Sequence, residues 1–254
     1  MRPNTKIKKP IITARDLKML EFIVESKLAS RDQLNLVFFK NSKCIRVINK
    51  RINKLMQRNL VTRIGVQIDD RFLYCYEITP NGLNAVKGGL RLSIKKPPQK
   101  SEKPQHDLTL VDIRNKLSSF SQVIDYLTEN ALQSFDVGAL DQYLLELKEQ
   151  NSDAGIQVKI TGRVFWLAIE FENTFQSIDK LEKKIARIYD SNINAVVLVC
   201  KNSSMLESFQ RIEKKYIEAT TSSPRIFYQK LDVLLAAKES ITFSNILNQS
   251  LNIK

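Results

Sequence analysis

The sequence predicts an α/β chain of two domains, a basic helical domain closed by a β-hairpin and a larger domain of alternating strands and helices. Three observations predict it. Charge is segregated, because residues 1–104 hold 23 Lys/Arg against 8 Asp/Glu while the remaining 150 hold 17 against 19, so the net charge of +13 arises wholly in the N-terminal part. Apolar residues recur at helical spacing three times before two strand-like runs, and after a Pro/Lys-rich break the pattern changes to β-α-β around a fully apolar strand. The expected boundaries are 1–90, a linker at 91–105, and 106–254.

Thr13 followed by Asp16 forms a capping arrangement, and Leu17, Leu20, Ile23 and Val24 then mark a first helix over 14–27. Ser30 and Gln33 repeat the signal for a second helix at 31–37, with Leu34 and Val37 facing inward. The third helix starts near Ser42. Its apolar stripe is Ile45, Ile48, Ile52 and Leu55, and Arg46, Lys50, Asn53, Lys54 and Gln57 lie opposite, flanked by Ser42, Lys43, Arg51 and Arg58. Arg, Asn and Gln bond base edges in a major groove and Lys anchors to phosphate, so this face carries the chemistry of duplex reading. Strands at 60–68 and 72–78, joined by Asp69-Asp70-Arg71, form a hairpin whose Arg63 and Arg71 are the expected backbone or minor-groove contacts. Thr79-Pro80 opens a closing helix through Val86. Helix, helix, helix and hairpin in this order read as a winged helix-turn-helix domain. The competing reading is a solvated amphipathic helix in a basic protein-binding module, and the charge of this half favours DNA.

The linker holds Lys95-Lys96-Pro97-Pro98 and little to bury. Beyond it a long amphipathic helix is expected over 107–132 and a second over 139–149. Strands follow at 156–160, 164–172, 195–200 and 226–228, with helices at 178–189 and 204–219. In an extended strand Glu170 and Glu172 share a face, and Asp153 precedes the strand before. Three such carboxylates are how Mg²⁺-dependent nucleases hold metal. On spacing alone the favoured reading is a polar face on which Glu170 and Glu172 pair with Lys180 or Lys184.

His106-Asp107-Leu108 at the head of a long helix, Asp153 before a strand, and Ala168-Ile169-Glu170-Phe171-Glu172 on the next complete a pattern that resembles the replication-relaxation family of bacterial mobile elements. The resemblance runs from about Thr13 to Cys200. It implies a second domain of the PD-(D/E)xK, restriction-endonuclease-like α/β fold and a role in plasmid replication or conjugative mobilisation. By position Asp153 matches the first acid of that fold and Glu170 the second, making both the candidate metal ligands. The lysine due two residues later is Glu172, and Lys180, Lys183 and Lys184 are candidates to replace it from the next helix. The departure implies a degenerate, non-cleaving domain used for dimerisation or partner docking.

Several classes are excluded. A single histidine, His106, rules out a His-based triad, and seven glycines compose neither a Walker A loop nor a dinucleotide fingerprint. Cys44, Cys75 and Cys200 are odd in number and without metal-ligand spacing, which suits a reducing cytoplasm. No stretch approaches the ~18 apolar residues of a membrane span. The expected partner is double-stranded DNA, bound by a homodimer that recruits a relaxase or replication protein, with no cofactor. A nicking nuclease using Mg²⁺ and a transcriptional repressor are the alternatives.

Overall fold

The structure is a computed structural model and describes residues 11–40, 45–68 and 70–254. An N-terminal helical region precedes a larger mixed β-sheet domain, giving an α/β architecture in two parts. One compact unit comprises residues up to Ser93 with Lys100–Leu108, and the other Ile94–Gln99 with Thr109–Lys254.

In the first unit, α1 (Ala14–Ser26) begins at a complete capping box. Thr13 N–H donates to Asp16 Oδ2 at 2.7 Å, and Asp16 N–H donates back to Thr13 Oγ1. Such a cap is worth about 1 kcal/mol. The helix buries Met19, Leu20, Ile23 and Val24, each stabilised by about 1.5–3 kcal/mol on leaving water. β1 (Leu28–Ser30) follows, a strand too short to show alternation in sequence. α2 (Arg31–Phe39) starts at the Ser30–Gln33 capping box and closes at Lys40 in the left-handed region, φ 51°. Leu34 is fully buried, but Val37 is exposed, contrary to expectation. The inward face runs from Leu34 to Phe38 at i, i+4 instead, and Phe38 meets Phe22 edge-on at 5.6 Å.

α3 (Ile45–Gln57) buries Ile48, Ile52 and Leu55, whereas Ile45, expected on the same stripe, is exposed at the first turn. β2 (Val61–Ile68) and β3 (Arg71–Ile78) pair antiparallel from Val61↔Ile78 to Ile68↔Arg71, and β1 adds to the other edge of β3. α4 (Pro80–Val86) is capped by Thr79, whose Oγ1 accepts from Gly82 N–H at 3.1 Å and donates to the Asn59 carbonyl at 2.6 Å. Glycine is required at 82 because a β-carbon there would stand 2.0 Å from the Leu60 carbonyl oxygen.

The expected linker is hydrogen-bonded at several points. In 94–99, the Lys95 and Lys96 amides donate to the Ser134 carbonyl and the Gln99 amide to Asn130 Oδ1. In 100–108, Ser101 Oγ donates to Asp107 Oδ2 at 2.6 Å, and the Leu108 carbonyl accepts from Gln33 Nε2 at 2.8 Å.

The helix expected over 107–132 is broken. α5 (Pro104–Leu117) stops before Ser118 and Ser119, and β4 (Val123–Thr128) and α6 (Glu129–Ser134) occupy the rest. Leu117, Phe120, Val123 and Leu127 fit a helical period, but serines interrupt it and the β-branched Val123-Ile124 pair suits a strand. A 3₁₀ turn (Val137–Ala139) leads to α7 (Tyr143–Glu149), so the helix expected from 139 starts later, where Asp141 Oδ1 accepts from Tyr143 N–H. There follow β5 (Ala154–Ile160), β6 (Arg163–Glu172), α8 (Ile178–Asp190), β7 (Val196–Cys200), α9 (Ser203–Thr220), β8 (Ile226–Lys230), α10 (Leu231–Ala236), β9 (Ile241–Ser244) and β10 (Ser250–Ile253).

The seven strands lie side by side in the order β10-β9-β8-β7-β6-β5-β4. β4, β5 and β6 are an antiparallel meander, while β6, β7 and β8 run parallel through crossovers α8 and α9. Every residue of β7 is buried, as a strand apolar on both sides requires. One sheet face carries Ile156, Val158, Leu167, Ile169 and Phe171 against Ile113, Leu117 and Phe120. Glu213 of α9 is fully buried, and its carboxyl oxygens accept from Tyr189 at 2.5 Å and Tyr228 at 2.8 Å, so both are hydrogen-bonded in the interior.

Candidate nucleic-acid interface and a buried acidic cluster

α3 buries one apolar side, and the side opposite it faces water. Arg46, Lys50, Asn53 and Gln57 are exposed and stand at intervals of four, three and four residues, which aligns them in one row along the helix. Val47 lies beside them, 47% exposed. Lys54 and Arg58 are half-buried. Ser42 and Lys43, expected at the head of this row, lie outside the described residues.

Arg51 departs from the expectation. Its guanidinium is turned inward, with Nε and Nη2 on the two oxygens of Asp16 and Nη2 also 3.0 Å from Thr13 Oγ1. Asp16 is 1% exposed, so the carboxylate that closes the α1 capping box also takes a bidentate charge from α3. The arginine therefore holds two helices together and is not part of the free face.

On the hairpin, Arg63 and Arg71 are exposed, as is Asp70, while Asp69 lies outside the described residues. Arg63 does not stand alone: its guanidinium carbon sits 4.4 Å over the Tyr74 ring. Tyr74 meets Phe72 edge-to-face at 5.3 Å. Sequence reasoning missed these two rings. The signal was their alternation with Tyr76 on one strand, which places aromatics beside a basic side chain across the ladder.

In the second unit the three carboxylates and one lysine do converge. Glu170 and Glu172 are each 5% exposed on the same face of β6. Lys184 Nζ lies 2.7 Å from Glu170 Oε2 and also binds Glu172 Oε1. Gln176 Nε2 donates to Glu172 Oε2 at 2.7 Å, and Asp153 Oδ2 accepts from Phe171 N–H at 2.7 Å. Burial drives the Glu170 carboxyl above its ordinary range even though Lys184 pulls it down. Burial alone would lower Lys184, but Glu170 and Glu172 outweigh it and hold the ammonium protonated. Of the three candidate lysines only Lys184 reaches the carboxylates, because it sits next to the inward positions Leu181, Ile185 and Ile188, whereas Lys180 and Lys183 are exposed.

As arranged, this cluster does not fit a divalent cation. One Asp153 oxygen is used on the backbone, and Lys184 supplies the positive charge between Glu170 and Glu172 that a cation would bring. Among the described residues no group of three or more His, Cys, Asp or Glu is placed to hold a metal ion. Burial pushes Cys75 up to about 11 and Cys200 up to about 12, leaving both protonated at neutral pH.

Among the described residues no helix is long and apolar enough to cross a membrane. Comparison of the chain with family models, with curated proteins and with solved structures finds no match.

Proposed function

We propose that this chain is a sequence-specific double-stranded DNA-binding protein of a plasmid or other mobile element, acting in mobilisation or replication initiation. The first unit works as a winged helix-turn-helix domain in which α3 enters the major groove and the β2–β3 hairpin follows the backbone. The observation that carries this reading is the exposed row Arg46, Lys50, Asn53 and Gln57, which joins two phosphate-seeking cations to side chains able to bond base edges. The second unit, on this reading, is a degenerate restriction-endonuclease-like domain that dimerises the protein in the cytoplasm and recruits a relaxase or replication protein. The Lys184 bridge between Glu170 and Glu172 supports a packing role over cleavage.

The experiment is selection of bound fragments from sheared plasmid DNA. A single enriched duplex site beside a transfer or replication origin is the expected result, and enrichment at the gene's own promoter would make the protein a repressor. Uniform recovery of all fragments would remove the sequence-specific reading.

A nicking nuclease is the second reading, favoured by one observation: Asp153, Glu170 and Lys184 come together from three separate parts of the chain. Relaxation of supercoiled plasmid in Mg²⁺, lost in Glu170→Ala, would support it.

A further inference from the structure

We propose that the outward face of the β2–β3 hairpin, built from Phe72, Tyr74 and Arg63, is a stacking platform for unpaired nucleobases. The DNA this chain takes then contains an unwound segment beside the duplex that α3 reads. The inference rests on the DNA-binding reading and specifies its substrate further.

The ladder register fixes the geometry. Arg63 stands opposite Tyr76, Gly65 opposite Tyr74 and Gln67 opposite Phe72, so all point to one side of the sheet. At the base of that side Val61 and Tyr76 are buried, where β2 meets α3 and β3 meets α1. Farther out, among the described residues, Phe72 is 60% and Tyr74 51% exposed. The reverse side is treated differently. Val66 and Cys75 are buried there with Leu28 and Leu108, and Ile64 and Leu73 pack against them. The hairpin thus seals one surface and leaves the aromatic one open.

The rings are also laid down in place. The far end of the Phe72 ring lies 2.3 Å from where a β-carbon on residue 65 would stand, so glycine at 65 clears its seat across the strand. Tyr74 braces Phe72 edge-on, and Arg63 lies over the other ring. The two rings stand at 87° to each other, with Phe72 reaching across Gly65 and Tyr74 carrying Arg63 over its ring.

Two large exposed aromatics mark a binding surface, and charge identifies the occupant. Among the described residues no carboxylate stands on this face of the paired strands and Arg63 lies on it, while Arg71, opposite Ile68, belongs to the reverse face and Asp70 is exposed in the turn beyond. A guanidinium set among rings is the kind of surface that holds bases by their faces and phosphates by charge. A fully paired duplex hides base faces in its own stack and shows only edges in the grooves. The ligand that fits is therefore a run of unpaired bases, taken with little sequence preference.

The test uses the full chain and fluorescein-labelled oligonucleotides carrying its selected site, one fully paired and one with about six unpaired bases alongside, read by fluorescence anisotropy. Wild type should bind the unpaired form at least about tenfold more tightly, since each stacked base contributes about 5- to 150-fold. Phe72→Ala with Tyr74→Ala should abolish that preference and change binding to the paired form less than about threefold, while Phe72→Tyr with Tyr74→Phe should keep it. Equal binding of both forms by wild type, with paired binding still dependent on Arg46 and Lys50, would overturn the platform and leave duplex reading intact. Binding to neither form would overturn both. If Phe72→Ala with Tyr74→Ala splits a dimer and leaves the preference unchanged, the face belongs to a second copy and the platform falls.

Discussion

At the scale of single residues, neighbouring arginines on one helix have opposite work. Arg46 faces solvent, and Arg51 is locked onto buried Asp16. Removing one partner of a buried pair strands the other, at a cost of about 3–5 kcal/mol, whereas an exposed substitution changes stability by about 0.5 kcal/mol or less. Arg51→Ala should therefore lower the urea midpoint markedly, and Arg46→Ala should leave it unchanged while weakening DNA binding. The same logic applies to Lys184, whose loss leaves Glu170 and Glu172 buried without a counter-charge. Lys184→Met should cost about 3–5 kcal/mol in denaturation, and Lys180→Met close to nothing. Equal stability of the two lysine variants would show that the cluster is hydrated and the pairing dispensable. The pairing of Glu170 and Glu172 with a helix-borne lysine was legible from spacing. The inward turn of Arg51 was not, because a helix period sorts residues by face and does not say which cation at the edge finds a buried carboxylate.

At the scale of elements, helix starts were the most legible feature, since Thr13, Ser30 and Thr79 announce themselves through local hydrogen bonds that depend on a few adjacent residues. The failure at 107–132 has the opposite cause. Apolar spacing there suits both periods, and the choice of strand for 123–128 is made by pairing with β5, which lies more than two dozen residues on. The β1 and β10 edges were invisible for the same reason. The head of α5 shows how such long-range choices are stabilised. Burial raises the Asp107 carboxyl, but hydrogen bonds from His106 and Ser101 and the charge of Lys27 overcome it and hold it below the usual aspartate range. A lowered folded value means that its stabilisation is present above about pH 4, the unfolded value, and is lost as pH falls through the folded one. Asp107→Asn should accordingly cost about 1–3 kcal/mol at pH 7, with the gap to wild type narrowing in urea titrations as pH falls below the ordinary aspartate range. A gap independent of pH would show that the carboxylate charge contributes nothing there.

At the scale of the whole molecule, the segregation of charge is the property from which the functional account follows. A net excess confined to residues 1–104 is what the proposed function assigns to a polyanion, and the near-balanced charges and buried sheet of the remainder are what it assigns to a structural or docking role. Composition revealed this division at once, and the order of helices and hairpin in the first part was readable in full. The exposure of the hairpin rings was not, because Phe72 and Tyr74 alternate as core residues would and only the folded sheet leaves them exposed. The most direct measurement is the affinity for the selected duplex over a series of salt concentrations, for wild type and for Arg46→Ala with Lys50→Ala. Duplex reading by α3 predicts that log affinity falls linearly with log salt, and that the double variant loses discrimination between the site and unrelated DNA while its slope drops by about 1 to 2. A double variant that keeps both its discrimination and its slope would contradict the account.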